Sequence, residues 1–328
     1  MTTTNPPTEI AATVDVSTLG PFRLAPFFSE RVWGKPDLKP WYEETGTKEL
    51  VGEAWLTGPQ CVIETGPLAG KTLHQTAEEF KDELLTPGAA AEFPLLVKML
   101  FPNDKLSVQV HPDDAQAQAM GQPRGKTECW YVLEAEPGAA VALGMKPGTT
   151  AEIVAAAVKD GSMESLMEMV PVTKGDMIFV DAGTVHAIGP GVVLLETQQT
   201  CDVTYRLYDY GRPRELHLEQ GLGVMKMHTA AGKVAPVRKD GFTRLIEQRY
   251  FVVDRYDLAP GEIADLSDIA GVSGCIASFS GSGIVRSDAG TVELLPAQAV
   301  VVPATASGVT VQAETTLSFL RAFEPRTN

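Results

Sequence analysis

Apolar and polar residues alternate along LSVQVHPDD, residues 106–114. In an extended chain Leu106, Val108 and Val110 fall on one side, and Ser107, Gln109 and His111 on the other. The apolar side suits packing on a second layer. The polar side has to meet water, a buried hydrogen-bond network or a metal. Other short apolar or alternating runs, bounded by Gly, Pro and Asp turns, recur as TECWYVLEA, AAVALGM, DMIFVDAGTVHAIG, VVLLETQQ and VTYRLYDYG, and each reads as strand. Past the connector MHTAAGKVAPVRKDG (227–241), residues 242–328 are nearly all strand-like, in RYFVVDRYDL, GCIASFSGSGIVRS, GTVELLPAQAVVVPA and TLSFLRAF.

Helical spacing is confined to the first half. GKTLHQTAEEFKDELL (70–85) predicts a helix with Thr76 as candidate N-cap and Phe80, Leu84 and Leu85 as apolar positions. TTAEIVAAAVKDGSMESLMEMV predicts two short helices whose Met and Leu serve packing. Residues 1–20 are polar and Thr/Pro-rich, as a loose arm would be. The expectation is a mostly β protein: an arm (1–20), a first domain with helical additions (21–230) and a second, nearly all-β domain (240–328).

Composition narrows the function. With 27 Lys and Arg against 42 Asp and Glu, the net charge of −15 argues against nucleic acid or an anionic membrane as partner. It leaves room for an anionic small substrate, because a few cations can dominate a pocket. The four cysteines stand far apart with no CxxC pair, as in a reduced, cytoplasmic protein. The first twenty residues lack the basic-then-apolar pattern of a secretory signal, and no run reaches the roughly 18 apolar residues of a membrane span.

Of five histidines, His111 and His186 have special settings, whereas His74, His217 and His228 read as ordinary core or surface residues. GDMIFVDAGTVH places Gly175, Asp181, Gly183 and His186 at a spacing similar to the second cupin motif, G-x5-P-x-G-x2-H. Asp181 replaces the usual proline, and Pro190 the final Asn. KTECWYV puts Lys126 and Glu128 on one strand face, and DVTYRLYDYGR does the same for Asp202, Thr204 and Arg206. Together Gln109, His111, Glu128 and His186 offer an amide oxygen, two imidazoles and a carboxylate. Such donors suit zinc, and without a thiolate the set is catalytic rather than structural in style. Trp33 and Trp55 are read as core.

The order LSVQVHPDD, GKTECWY, GTVHAIGPG, LLETQQTCDVTYRLYDYGR resembles type I phosphomannose isomerases in their compact bacterial form. The resemblance is strong over about residues 20–220 and only architectural beyond 240. It implies two cupin-type (jelly-roll) barrels, one Zn2+ per chain on Gln109, His111, Glu128 and His186, and isomerisation of mannose 6-phosphate and fructose 6-phosphate through an enediol. By the same resemblance Arg206 is the active-site arginine and Ser107, Lys126, Glu196 and Asp202 line the pocket. Arg212 falls where a second basic residue is expected. Lys126, Asp202 and Glu196 are alternative bases. AQAVVVPATASG repeats the cupin spacing with Gly308 at the ligand position, so a second barrel would hold no metal. Two other readings are a sugar-phosphate-binding regulator without turnover and an iron-dependent cupin oxygenase. The chain is expected to act as a monomer or homodimer.

Overall fold

In the strand Glu128–Ala135, alternate side chains go to different cores. Trp130 and Val132 point into a core shared with Leu100, Val141, Ile178 and Ile188. Cys129, Tyr131 and Leu133 point the other way, into one shared with Cys275, Ala277, Val301 and Leu320. A near-continuous apolar run is what a strand covered on both faces requires.

The computed structural model describes residues 19–326. The expected arm therefore lies outside the described residues, apart from Leu19 and Gly20, and Leu19 is buried. The first sandwich has a seven-stranded sheet in the order Gly232–Val234, Met177–Val180, Glu128–Ala135, Val192–Gln199, Leu95–Leu100, Val51–Trp55, Phe27–Lys35. It faces a five-stranded sheet in the order Tyr205–Tyr208, Val108–Val110, His186–Ile188, Ala140–Met145, Met167–Pro171. The second sandwich pairs a seven-stranded sheet (Phe22–Leu24, Ala299–Val302, Gly274–Ser280, Leu317–Phe323, Val252–Leu258, Thr243–Glu247, Val237–Arg238) with a four-stranded one. The two seven-stranded sheets pack back to back through the large shared core. The helices Ala151–Asp160 and Leu218–Val224 cover the outer face of the five-stranded sheet, over Val108 and Val110.

Several expectations need correction. Phe22–Leu24 pairs with Ala299–Val302 in the second sandwich, and Gly232–Val234, inside the supposed connector, pairs with Met177–Val180 in the first. Each strand caps an edge that would otherwise expose unpaired backbone: Phe22–Leu24 crosses from the expected first domain into the second sandwich, and Gly232–Val234 carries the first sandwich past residue 230. The N-cap of the first helix, Leu73–Glu79, is Thr72: its hydroxyl accepts from Gln75 N–H while the Gln75 side chain accepts from Thr72 N–H. Thr76 lies within that helix. Leu106 precedes the strand Val108–Val110 and joins the inner core, away from Val108 and Val110. Among the described residues after 242 there is one helical turn, Ser267–Ile269, and the end of the second predicted helix is the strand Met167–Pro171. Among the described residues no helix is long and apolar enough to cross a membrane, and the four cysteines are free and buried.

Candidate metal centre and its cavity

The strand Val108–Val110 runs between two others, and Gln109 is the register partner of both His186 and Arg206. Partners on adjacent strands share a face, so Arg206, Gln109 and His186 form a row looking into the first sandwich. The opposite sheet answers with Glu128 and, through the pairs Glu196–Lys98 and Glu196–Trp130, with a second polar row.

His111 and His186 are almost completely buried, and their ring centroids lie 4.9 Å apart. His111 Nδ1 is 2.9 Å from Val203 O, and His186 Nδ1 is 2.9 Å from Thr184 O. Each Nδ1–H donates to a carbonyl, which leaves both Nε2 lone pairs facing inward. Burial first, with the Lys126 ammonium and the neighbouring imidazole, holds His111 well below its usual pKa; burial lowers His186 too. Glu128 Oε2 is 3.7 Å from His111 Nε2, and Oε1 is 3.4 Å from His186 Nε2. Tetrahedral ligands on bonds of about 2.1 Å stand about 3.4 Å apart. One carboxylate oxygen faces each imidazole at close to that spacing, and one donor atom from each of the three residues lies within 4.8 Å of the others, close enough to surround one ion. Burial would raise Glu128, but the charges of Lys126, His186 and Lys98 outweigh it and keep the carboxylate ionised. Its Oε2 is buried and receives no directed hydrogen bond among the described residues, although Lys126 Nζ lies 3.1 Å away. A buried carboxylate oxygen in that state fits a cation. Lys126 Nζ is also 3.1 Å from His111 Nε2, and Gln109 Nε2 is 3.3 Å from His186 Nε2.

Gln109 and Lys126, each touching one of the two imidazoles, also line a cavity of about 470 Å3. Ser107, Glu196, Asp202, Thr204 and Arg206 line it, as the alternation of their segments predicts. Glu196 is buried and Asp202 exposed. Arg212 does not reach the cavity. Its guanidinium is engaged by Asp104 (2.6 Å), Asp209 (3.1 Å) and Lys105 O (2.8 Å). Arg214 lines the cavity instead. Of the ordinary histidines, His217 supports Arg206: Arg206 N–H donates to its Nδ1 at 3.1 Å. Trp33 and Trp55 are buried as expected, and Trp33 also reaches the wall.

Sequence reasoning passed over a buried network on the opposite wall. Arg31 grips Glu53 at two points (3.1 and 3.0 Å), and Trp55 Nε1 donates to Glu53 Oε2 at 2.7 Å. Lys98 Nζ lies 3.9 Å from Glu53 and 3.1 Å from Glu196. Burial opposes the Glu53 charge, yet Lys98 and Arg31 bring its pKa down to about 2. Burial, reinforced by Glu128, pushes Glu196 up against the pull of Lys98. The available signal was Lys98 itself, a lone cation in the apolar run FPLLVKMLFP.

Comparison with known proteins agrees with this geometry. Residues 22–146 match the family model for the catalytic domain of phosphomannose isomerase type I. The putative mannose-6-phosphate isomerase YvyI of Bacillus subtilis is 31% identical over 316 residues, 92% of this chain and 98% of that protein. Mannose-6-phosphate isomerase ManA of the same organism is 36% identical over 259 residues, 74% of this chain and 81% of its own length. The crystal structure of the mannose 6-phosphate isomerase from Bacillus subtilis superposes with a TM-score of 0.81 at 28% identity, covering 93% of this chain and 99% of that one. The chain belongs to the type I phosphomannose isomerase family.

Proposed function

We propose that this cavity interconverts mannose 6-phosphate and fructose 6-phosphate, with Zn2+ held by Gln109, His111, Glu128 and His186. The observation that carries the reading is the convergence of Glu128 and two inward-facing imidazoles in contact with Gln109 and Lys126, which line one cavity with Arg206. The reaction moves a proton between C2 and C1 of the open-chain sugar, through an enediol. A bound dication would supply Lewis-acid stabilisation to the negative charge that develops on the substrate oxygens.

The remaining work falls to side chains. Of the three candidate bases, Glu196 fits best, because it is buried on the cavity wall and burial raises its pKa above the ordinary carboxyl value, which makes it a stronger base. Asp202 is exposed, and Lys126 is placed among the metal ligands, where its ammonium can donate to a substrate oxygen. Arg206 suits the phosphate: its Nε is buried and has no partner among the described residues.

The test is purified protein given mannose 6-phosphate while fructose 6-phosphate is followed, before and after chelation. Turnover that chelation removes and added zinc restores is the expected result. Binding without turnover would replace the enzyme by a regulator, and oxygen consumption with ferrous iron would replace the isomerase by an oxygenase.

A further inference from the structure

The turn after the strand Tyr205–Tyr208 sends two guanidiniums in different directions. Arg212 points out of the cavity to Asp104 and Lys105 O. Arg214 lines the cavity with Arg206. Asp209, with its side chain only 2% exposed, holds Arg214 at two points: Nε is 2.7 Å from Oδ2, and Nη2 is 2.7 Å from Oδ1. Arg214 Nη1 is left without a partner among the described residues. The same segment clasps Arg206. Glu215 O accepts from Arg206 Nη1 at 2.8 Å, His217 N–H donates to Arg206 O at 2.7 Å, and His217 Nδ1 accepts from Arg206 N–H at 3.1 Å.

One short stretch of chain thus fixes two guanidiniums in one cavity. Cations held near each other repel, and a shared anion turns that cost into attraction. A phosphate monoester, with about −1.5 to −2 charges and three acceptor oxygens, fits such a pair. We infer that Arg214 is the second guanidinium of the phosphate end, with Asp209 and His217 as positioning residues that hold Arg214 and Arg206 upon it. The assignment rests on the isomerase reading above and replaces Arg212 in that role.

Steady-state kinetics on Arg214→Gln decide it, with inorganic phosphate as competitive inhibitor. Loss of one charge-assisted contact should raise KM for mannose 6-phosphate by about 10-fold or more, leave kcat within about 3-fold, and raise the phosphate inhibition constant in step. Arg214→Lys should recover part of the loss, and Asp209→Asn should shift both constants the same way by less. The assignment fails if Arg214→Gln leaves both constants within about 2-fold of the unmodified protein, or if Arg212→Gln raises them as much. Should Arg214→Gln not fold, Arg214→Lys carries the test, and unchanged constants there overturn the assignment. The two claims separate cleanly. No turnover by the unmodified protein sinks the isomerase reading, and calorimetric binding of inorganic phosphate to the same variants still judges Arg214.

Discussion

The two sandwiches share one plan and use it in opposite ways. Their seven-stranded sheets can be laid strand for strand upon each other, with Met177–Val180 matching Ala299–Val302 and Glu128–Ala135 matching Gly274–Ser280. The register carries the match to single residues: Glu128 pairs with Val180 as Gly274 pairs with Val302. Gly274 thus stands where the first sandwich has its carboxylate. A Cβ there would meet Ala322 O at 2.8 Å and Phe323 Cβ at 3.0 Å, so no ligand side chain fits. Gly308, at the position of His186, has a φ of +61° and is hemmed in by Asp288. Among the described residues the one group with metal-ligand spacing is His111, Glu128 and His186.

The central ion pairs correspond as well. Glu196 faces Lys98 with Trp130 on its other side, and Arg321 faces Asp254 with Ile276 on its other side. In the first sandwich the pair opens on the cavity. In the second, Arg321 is fully buried among the rings of Phe242, Tyr256 and Phe323, donating to Asp254 at 2.7 Å and to both oxygens of Asp268. A backbone of this kind becomes a reaction site only where the interior stays open and the charges remain within reach of a ligand. Where aromatics close over them, the same charges lock the core.

The largest expected contrast comes from breaking these two pairs. Arg321→Ala takes from Asp254 one of its two guanidiniums, Arg244 being the other, and leaves a hole among three rings; it should cost about 3–5 kcal/mol in denaturant unfolding, with kcat/KM of the folded fraction kept. Glu196→Gln should do the reverse: turnover falls at least about 100-fold while stability changes far less. Equal stability losses in the two variants, or retained turnover in Glu196→Gln, would erase the distinction.

A smaller effect concerns pH. Glu53 is held near a pKa of about 2 in the folded protein, below the ordinary glutamate value of 4.5. The unfolded chain therefore binds its proton first as pH falls. The stability it contributes is complete above pH about 4.5 and is lost progressively down to about 2. Glu53→Gln should flatten that part of the stability–pH curve. An acid limb identical to that of the unmodified protein would mean that the Arg31–Glu53–Lys98 network contributes nothing to it.

Period-2 alternation made much of this legible. It correctly sent Ser107, Gln109 and His111 to the side opposite Val108 and Val110, and it put Asp202, Thr204 and Arg206 on one wall. It failed where the chain leaves regular structure. Leu106 lies before its strand and turns inward. Arg212 and Arg214 sit in a turn with no period to say which one faces the cavity. The buried Lys98 looked like part of an apolar run because its partners, Glu53 and Glu196, lie on other strands. The pairing of Phe22–Leu24 with Ala299–Val302 joins segments some 280 residues apart, and local patterning carries no information at that range.

The most direct test of the metal centre is elemental analysis of the purified protein beside His186→Ala and Arg206→Ala. The account predicts one zinc per chain in the unmodified protein, the same in Arg206→Ala, and little or none in His186→Ala. Full zinc in the His186 variant, or two ions per chain in the unmodified protein, would contradict it.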